Sequence, residues 1–322
     1  MSLLRYLLIA LLVLTPIWLS TKLVPHKVEE SPFLTLYHHV VPSTLAFNAA
    51  EMNAAHHTGA HVAPEYLEIA LPFTLPLSEH FDLDPSTPTT DIGVTNLQLF
   101  QLAAVLLVIV CFSGVPAYLR TGKGDAVSKM FAGFADWVRD QMVFPVMGRD
   151  VGNKFLPYFL TVFFFVMFMN LLGLVPGAAT ATASIFVTAA LATTTLLAMV
   201  GGGIVAQGPV GYFKNLVPHV PLIMWPLMFV VEIAGVIIKP FALMIRLFAN
   251  MTGGHLVILS FMGLLFLMAQ GAGATAAYSV SPLVIAFSVF IMIIEAFVAL
   301  LQAYVFTMLS ILFIQASIHP EH

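Results

Sequence analysis

The chain has 322 residues, of which 60% are hydrophobic and 9% charged, with a net charge of −4. Soluble domains carry about 25% charged residues, so the composition excludes a water-soluble protein, and no nucleic-acid partner is expected. The single cysteine, Cys111, excludes an internal disulfide and a cysteine-based metal site.

Residues 1–20 hold Arg5 followed by the apolar run Tyr6–Leu14 and then Thr15-Pro16. This is the pattern of a signal peptide or of an uncleaved N-terminal anchor. With Arg5 alone, it lacks the arginine richness of a mitochondrial transit peptide. Residues 21–95 form an acidic, His-rich extension. Between Lys27 and Arg120 there are nine acids and six histidines but no lysine or arginine. His56, His57 and His61 have a spacing that can hold a transition metal. Without acids or cysteines at fixed spacing nearby, an exposed polar loop is the simpler reading, and neither a metal nor a cofactor is expected.

Residues 96–322 form the membrane domain. Spans are expected at Leu97–Leu119, Phe155–Val175 and Ala181–Val205, each close to the ~20 residues a bilayer requires. Six of the twelve lysines and arginines lie between the first two spans. By the positive-inside rule that loop is cytoplasmic, the N-terminus is outside and the C-terminus cytoplasmic. Within the loop, Met130–Phe144 repeats its apolar residues at helical spacing, so an amphipathic interfacial helix is expected.

Two longer apolar segments follow. Leu222–Gln270 carries only Glu232, Lys239 and Arg246 as charges, and Ser281–Ile318 only Glu295. Thirty-eight helical residues extend about 57 Å against a hydrocarbon core of about 30 Å, so these helices are expected to lie strongly oblique, with a kink at Pro240 available to the first. A turn at Gly271–Val280 makes them an antiparallel hairpin. Counting from it puts His255 level with Glu295, and Arg246 level with Gln302. Glu232, Lys239, Arg246 and Gly253 are seven apart and share a face with Asn250; His255 points nearly opposite.

An arginine at bilayer depth costs about 2.5–3.5 kcal/mol and marks a functional site. His255 and Glu295 can exchange protons near neutral pH when burial brings their affinities together, and Glu232 serves the cytoplasmic half. A guanidinium between two such sites blocks direct proton passage. Asn250 and Gln302 alone also read as interhelical glue, but glue does not require charge.

Pro240 through His255, with its Arg246-Leu-Phe-Ala-Asn250-Met core, resembles the signature of subunit a of F-type ATP synthases. Met169-Asn170-Leu-Leu-Gly-Leu-Val-Pro176 and Gly211-Tyr-Phe-Lys-Asn-Leu-Val-Pro218 resemble two further motifs of that family. Glu232, Lys239, Glu295 and Gln302 fall at its spacings, and the resemblance covers about residues 97–317.

It implies an all-α membrane protein of five transmembrane helices plus one amphipathic helix, with the c-ring, the peripheral-stalk b subunits and the lipid bilayer as partners. It further implies a bacterial inner-membrane location, with the mitochondrial inner membrane as the alternative. Arg246 would face the ring carboxylate, flanked by Asn250 and Gln302. His255 and Glu295 would line the outer half-channel and Glu232 the inner one, carrying protons rather than sodium. No ATP-hydrolysing site is implied.

The third span departs from the family, with Ser184-Ile-Phe186 where many members carry an acid. The extension lies outside the family core; proton collection, contact with another subunit and a plain spacer are its candidate roles. A secondary transporter with a His/Glu site is the competing reading, but such folds show internal repeats and none is found. A structural scaffold would leave the intramembrane charges without a purpose.

Overall fold

In hydrocarbon, backbone N–H and C=O groups can be satisfied only inside helices or closed barrels, and the apolar runs here take the helical solution. The computed structural model describes residues 2–23, 68–70, 91–93, 95–175, 180–217, 221 and 223–319. Six helical stretches among them are long and apolar enough to cross a membrane, and the chain is an all-helical, multi-pass membrane protein. One local exception interrupts the loop expected before residue 95. There β1 (Glu68–Ala70) pairs antiparallel with β2 (Asp91–Gly93), Ile69 opposite Ile92. The histidines at 56, 57 and 61 lie outside the described residues.

α1 (Ser2–Leu23) packs along α2 (Asn96–Phe112). Thr95 and Gln98 start α2 with a reciprocal capping box, each backbone N–H bonded to the other's side chain at 3.0 and 3.4 Å, which satisfies two of the donors a helix start leaves free. The expected first span breaks at Ser113-Gly114 and resumes as α3 (Val115–Thr121).

At that break the Arg5 guanidinium is buried. Its Nε donates to the Val110 carbonyl at 2.9 Å, Nη1 to Asp125 Oδ1 at 2.9 Å and to Ser128 Oγ at 2.5 Å, and Nη2 to the Cys111 carbonyl. Gly114 leaves the room, since a Cβ there would collide with Arg5 and Ser128. The Ser128 hydrogen bonds, and beyond them the charge of Arg5, hold the Asp125 carboxyl below its usual range, so this carboxyl is ionised at neutral pH.

Asp125 also caps α4 (Ala126–Trp137) by accepting from the Ser128 N–H. Helical hydrogen bonding runs on from α4 through a π turn (Val138–Val143) into α5 (Phe144–Gly173). The chain turns at Gly148, whose φ of 69° suits glycine. The amphipathic helix and the second span are thus expected correctly as two bodies, but the hinge sits at Gly148 and the span begins before Phe155. Phe112, Phe131 and Phe164 meet with ring centroids 4.8–5.5 Å apart. These offset and edge-on contacts fasten the amphipathic helix to the first two spans.

After a short 3₁₀ turn (Ala181–Ala183) come α6 (Ile185–Gln207) and α7 (Pro209–Asn215). Then follow α8 (Trp225–Ala272, 48 residues) and α9 (Ala274–Ile318, 45 residues). The hairpin turn is Gly273 alone, φ 86°, which corrects the expected Gly271–Val280 turn. Ala274, Ala276 and Ala277 favour helix, so α9 begins as soon as one glycine has reversed the chain. α8 is continuous helix through Pro240. Each helix is about 70 Å long at 1.5 Å per residue, over twice the hydrocarbon thickness.

α9 lies against α5, α6 and α8 at once. Its inner face buries Ala299, Ala303, Phe306, Ile311 and Ile314 against Phe159, Phe164, Leu243 and Leu247. Asn170, fully buried on α5, donates to the Ala299 carbonyl at 3.2 Å and holds α9 at the height of the polar residues.

Candidate functional site

The hairpin brings His255 of α8 to Glu295 of α9, with Nδ1 and Oε1 2.7 Å apart. Glu295 is 4% exposed. α8 approaches closely here because Gly254 has no side chain; a Cβ would lie 2.5 Å from the Glu295 carboxylate. The other ring nitrogen of His255, Nε2, faces the Gly173 carbonyl at 3.2 Å and the hydroxyl of Thr180. Thr180 in turn donates to the Gly173 carbonyl at 3.1 Å. The expected pairing of His255 with Glu295 is therefore present, although the turn from which it was counted is shorter. Counted from Gly273, His255 lies 18 residues back and Glu295 22 on, about one helical turn out of level, so the pairing follows from how the two helices pack and not from the count alone.

Lower on the hairpin, Asn250 Nδ2 donates to Gln302 Oε1 at 2.7 Å. Arg246 lies one turn from Asn250, on a face where Phe241, Ala242, Ile245 and Ala249 are also exposed. Among the described residues Arg246 makes no hydrogen bond and no ion pair. Gln302 therefore meets Asn250, one turn from Arg246, and not Arg246 at its own level as expected. His255 and Arg246 do serve different surfaces, one turned into the bundle and the other out of it.

Glu232 is separate from both groups. It lines a cavity of about 720 Å³ with Lys239, Gln207, Tyr212, Ser317 and His319. The wall is fixed where α6 meets the end of α9. Gln207 Nε2 donates to the Ser317 carbonyl at 2.9 Å, satisfying a carbonyl in the last turn of α9, and Ser317 Oγ donates to the Met199 carbonyl at 2.7 Å. Lys239 stands over the Phe313 ring at 6.0 Å.

The family model for the ATP synthase A chain matches residues 97–315, more than half of the chain. The chain belongs to the ATP synthase subunit a family. It is 42% identical over 237 residues to "ATP synthase subunit a" of Myxococcus xanthus, covering 72% of this chain and 75% of that protein. To the protein of the same name from Chloroherpeton thalassium it is 38% identical over 256 residues, covering 75% and 74%.

Within this subunit a framework, three features escape sequence reading. Thr180 and the Gly173 carbonyl close the far side of His255, yet they lie 75 and 82 residues from it and carry no periodic signal. Gln207 and His319 join Glu232 in the cavity through the α6–α9 contact, which spacing along one helix does not reveal. The Arg5–Asp125 pair spans 120 residues and sits in a segment that otherwise looks like a secretion signal. The motif residue Asn170 was the one available clue to the α5–α9 contact.

Proposed function

We propose that this subunit a conducts protons in the membrane sector of a rotary F-type ATP synthase of a bacterial inner membrane, against a c-ring and beside peripheral-stalk b subunits. Two offset half-channels meet the ring. His255 and Glu295 line the outer one, the Glu232 cavity is the inner one, and Arg246 divides them, flanked by Asn250 and Gln302. The observation that carries this reading is Arg246 itself, exposed on an apolar helix face without a partner in the described residues. A guanidinium left there would cost about 2.5–3.5 kcal/mol, which a carboxylate brought by another chain offsets.

The chemistry follows from two properties of arginine. It does not release its proton at physiological pH, so a proton cannot pass straight from the outer to the inner half-channel. Its charge lowers the proton affinity of a facing carboxylate, so a ring carboxylate arriving at Arg246 gives its proton to the inner cavity. It is reloaded from the His255–Glu295 side after passing the arginine. Strongly oblique α8 and α9, as their length requires, would give the ring a long surface to slide along.

We read residues 96–322 as the membrane domain of the family, residues 21–95 as an exoplasmic extension, and the C-terminus as cytoplasmic. Of the two readings of the first residues, the contacts of Arg5 favour the anchor, because a cleaved signal would remove the guanidinium that pairs with Asp125 and donates to the Val110 and Cys111 carbonyls. A retained α1 runs antiparallel to α2 and has its N-terminus on the cytoplasmic side. The exported N-terminus expected from the sequence then applies only to a chain cut after α1.

The test is ATP synthesis by Arg246→Ala in inverted membrane vesicles. Synthesis is expected to vanish while a passive proton leak persists. Normal coupling in that variant would end the proposal.

A further inference from the structure

We infer that the Thr180 hydroxyl is a positioning group for proton transfer, serving both hydrogen-bonding states of His255 so that the His255–Glu295 pair can gain and give up a proton. This rests on the proton-path reading above and adds a residue and a role to it.

A neutral imidazole has one N–H and one lone pair, and an imidazolium has two N–H groups. Nδ1 is committed to Glu295 at 2.7 Å. With Glu295 ionised, Nδ1 carries hydrogen in both states, so the proton that comes and goes is the one on Nε2. When loaded, Nε2–H donates to the Gly173 carbonyl at 3.2 Å and to Thr180, while the Thr180 O–H donates to the same carbonyl at 3.1 Å. When unloaded, the Nε2 lone pair needs a donor.

Gly173 offers only a carbonyl, which accepts and cannot donate. Among the described residues, Thr180 is the neighbour of Nε2 that can turn its O–H from that carbonyl onto the ring nitrogen. The step balances: the proton on Nε2 passes to the c-ring carboxylate that this pair reloads, the hydroxyl hydrogen swings onto the vacated lone pair by rotation about Cβ–Oγ1, and the next proton from the outer compartment restores the first state.

Glu295 of α9 is the single titratable group that the described residues set against His255. α5 presents the Gly173 carbonyl, the segment before the 3₁₀ turn presents Thr180, and α6 carries no charged residue at all. On α8 itself, Arg246 lies on the opposite face and Glu232 over six turns away.

Without the hydroxyl, the unloaded pair would put a lone pair against a carbonyl oxygen, and the pair would keep its proton. The experiment uses the intact synthase in liposomes at fixed membrane potential, with ATP synthesis measured against the pH of the compartment that feeds the outer half-channel. Thr180→Val keeps the side-chain shape and is expected to move the half-maximal pH up by about one unit, with a lower maximal rate. Thr180→Ser is expected to keep the wild-type pH profile. In a His255→Gln background, Thr180→Val is expected to cause no shift.

An unmoved profile in Thr180→Val, or an equal shift in the serine variant, overturns the inference. Where the valine variant does not assemble, Thr180→Ala is read in its place, with the same expected shift and the same overturning result. If His255→Gln alone leaves the profile unchanged, the proton-path reading itself fails. A shift there with none in Thr180→Val sinks only the role of Thr180.

Discussion

Two polar groups on one helix hairpin are treated in opposite ways. His255 and Glu295 are closed in by their own chain, with Gly254 cleared for the carboxylate and Gly173 and Thr180 set behind the ring. Arg246, nine residues away, is turned out among exposed apolar side chains and bonded to nothing in the described residues. A group that trades protons within one chain needs its partners fixed in place. A group whose partner arrives on a moving neighbour has to be left open. The contrast separates what this subunit completes by itself from what it completes only in an assembly.

The largest effect is expected on the open side. Arg246→Lys keeps a charge but replaces the planar fork by an ammonium that shifts its proton affinity readily when desolvated, and coupled synthesis should fall at least about a hundredfold, measured as ATP formed per proton taken up. On the closed side, Glu295→Gln removes the carboxylate that His255 Nδ1 meets. ATP-driven proton pumping should drop about a hundredfold, and a variant that pumps at the wild-type rate would remove the pair from the path.

Gly254→Ala sharpens the comparison, because it alters only the fit of the closed site. Its Cβ must displace the Glu295 carboxylate, so pumping should fall about tenfold, the change that one lost charge-assisted hydrogen bond would give. Asn250→Ala leaves Gln302 unbonded and should cost about fivefold in rate, close to the ~1 kcal/mol of a neutral hydrogen bond. The smallest functional effect belongs to Arg5→Ala. Turnover should hold while the thermal midpoint of the complex falls, and Arg5→Asp with Asp125→Arg should restore part of it. A mature subunit whose mass lacks residues 2–23 would contradict that last expectation outright.

Much of this was legible in the sequence, for reasons that can be named. Helical periodicity identifies the amphipathic stretch around Phe131, and the count from the wide expected turn pairs His255 with Glu295, although the turn at Gly273 leaves them about one helical turn out of level. Angular spacing alone separates His255 from Arg246. What was not legible depends on contacts between distant segments. The turn reads wider in the sequence than in the fold because glycine, alanine and serine suit loop and helix equally, and only the φ of Gly273 decides. The hinge at Gly148 hides in a run with helical periodicity on both sides. Thr180 looks like one of several threonines until the fold lays it on His255, and Gln207 joins the Glu232 cavity only because α6 ends beside α9.

The most direct test concerns the open face. The native chain has one cysteine, and it is buried, so introduced cysteines can be read against a quiet background. Ala249→Cys, beside Arg246 on the exposed face, should form a disulfide with a cysteine placed next to the ring carboxylate in the assembled synthase. Met251→Cys, on the buried face of the same helix, should not. Cross-linking at 249 alone is the predicted result. No cross-link at 249, or an equal one at 251, would contradict the claim that Arg246 finds its partner on the ring.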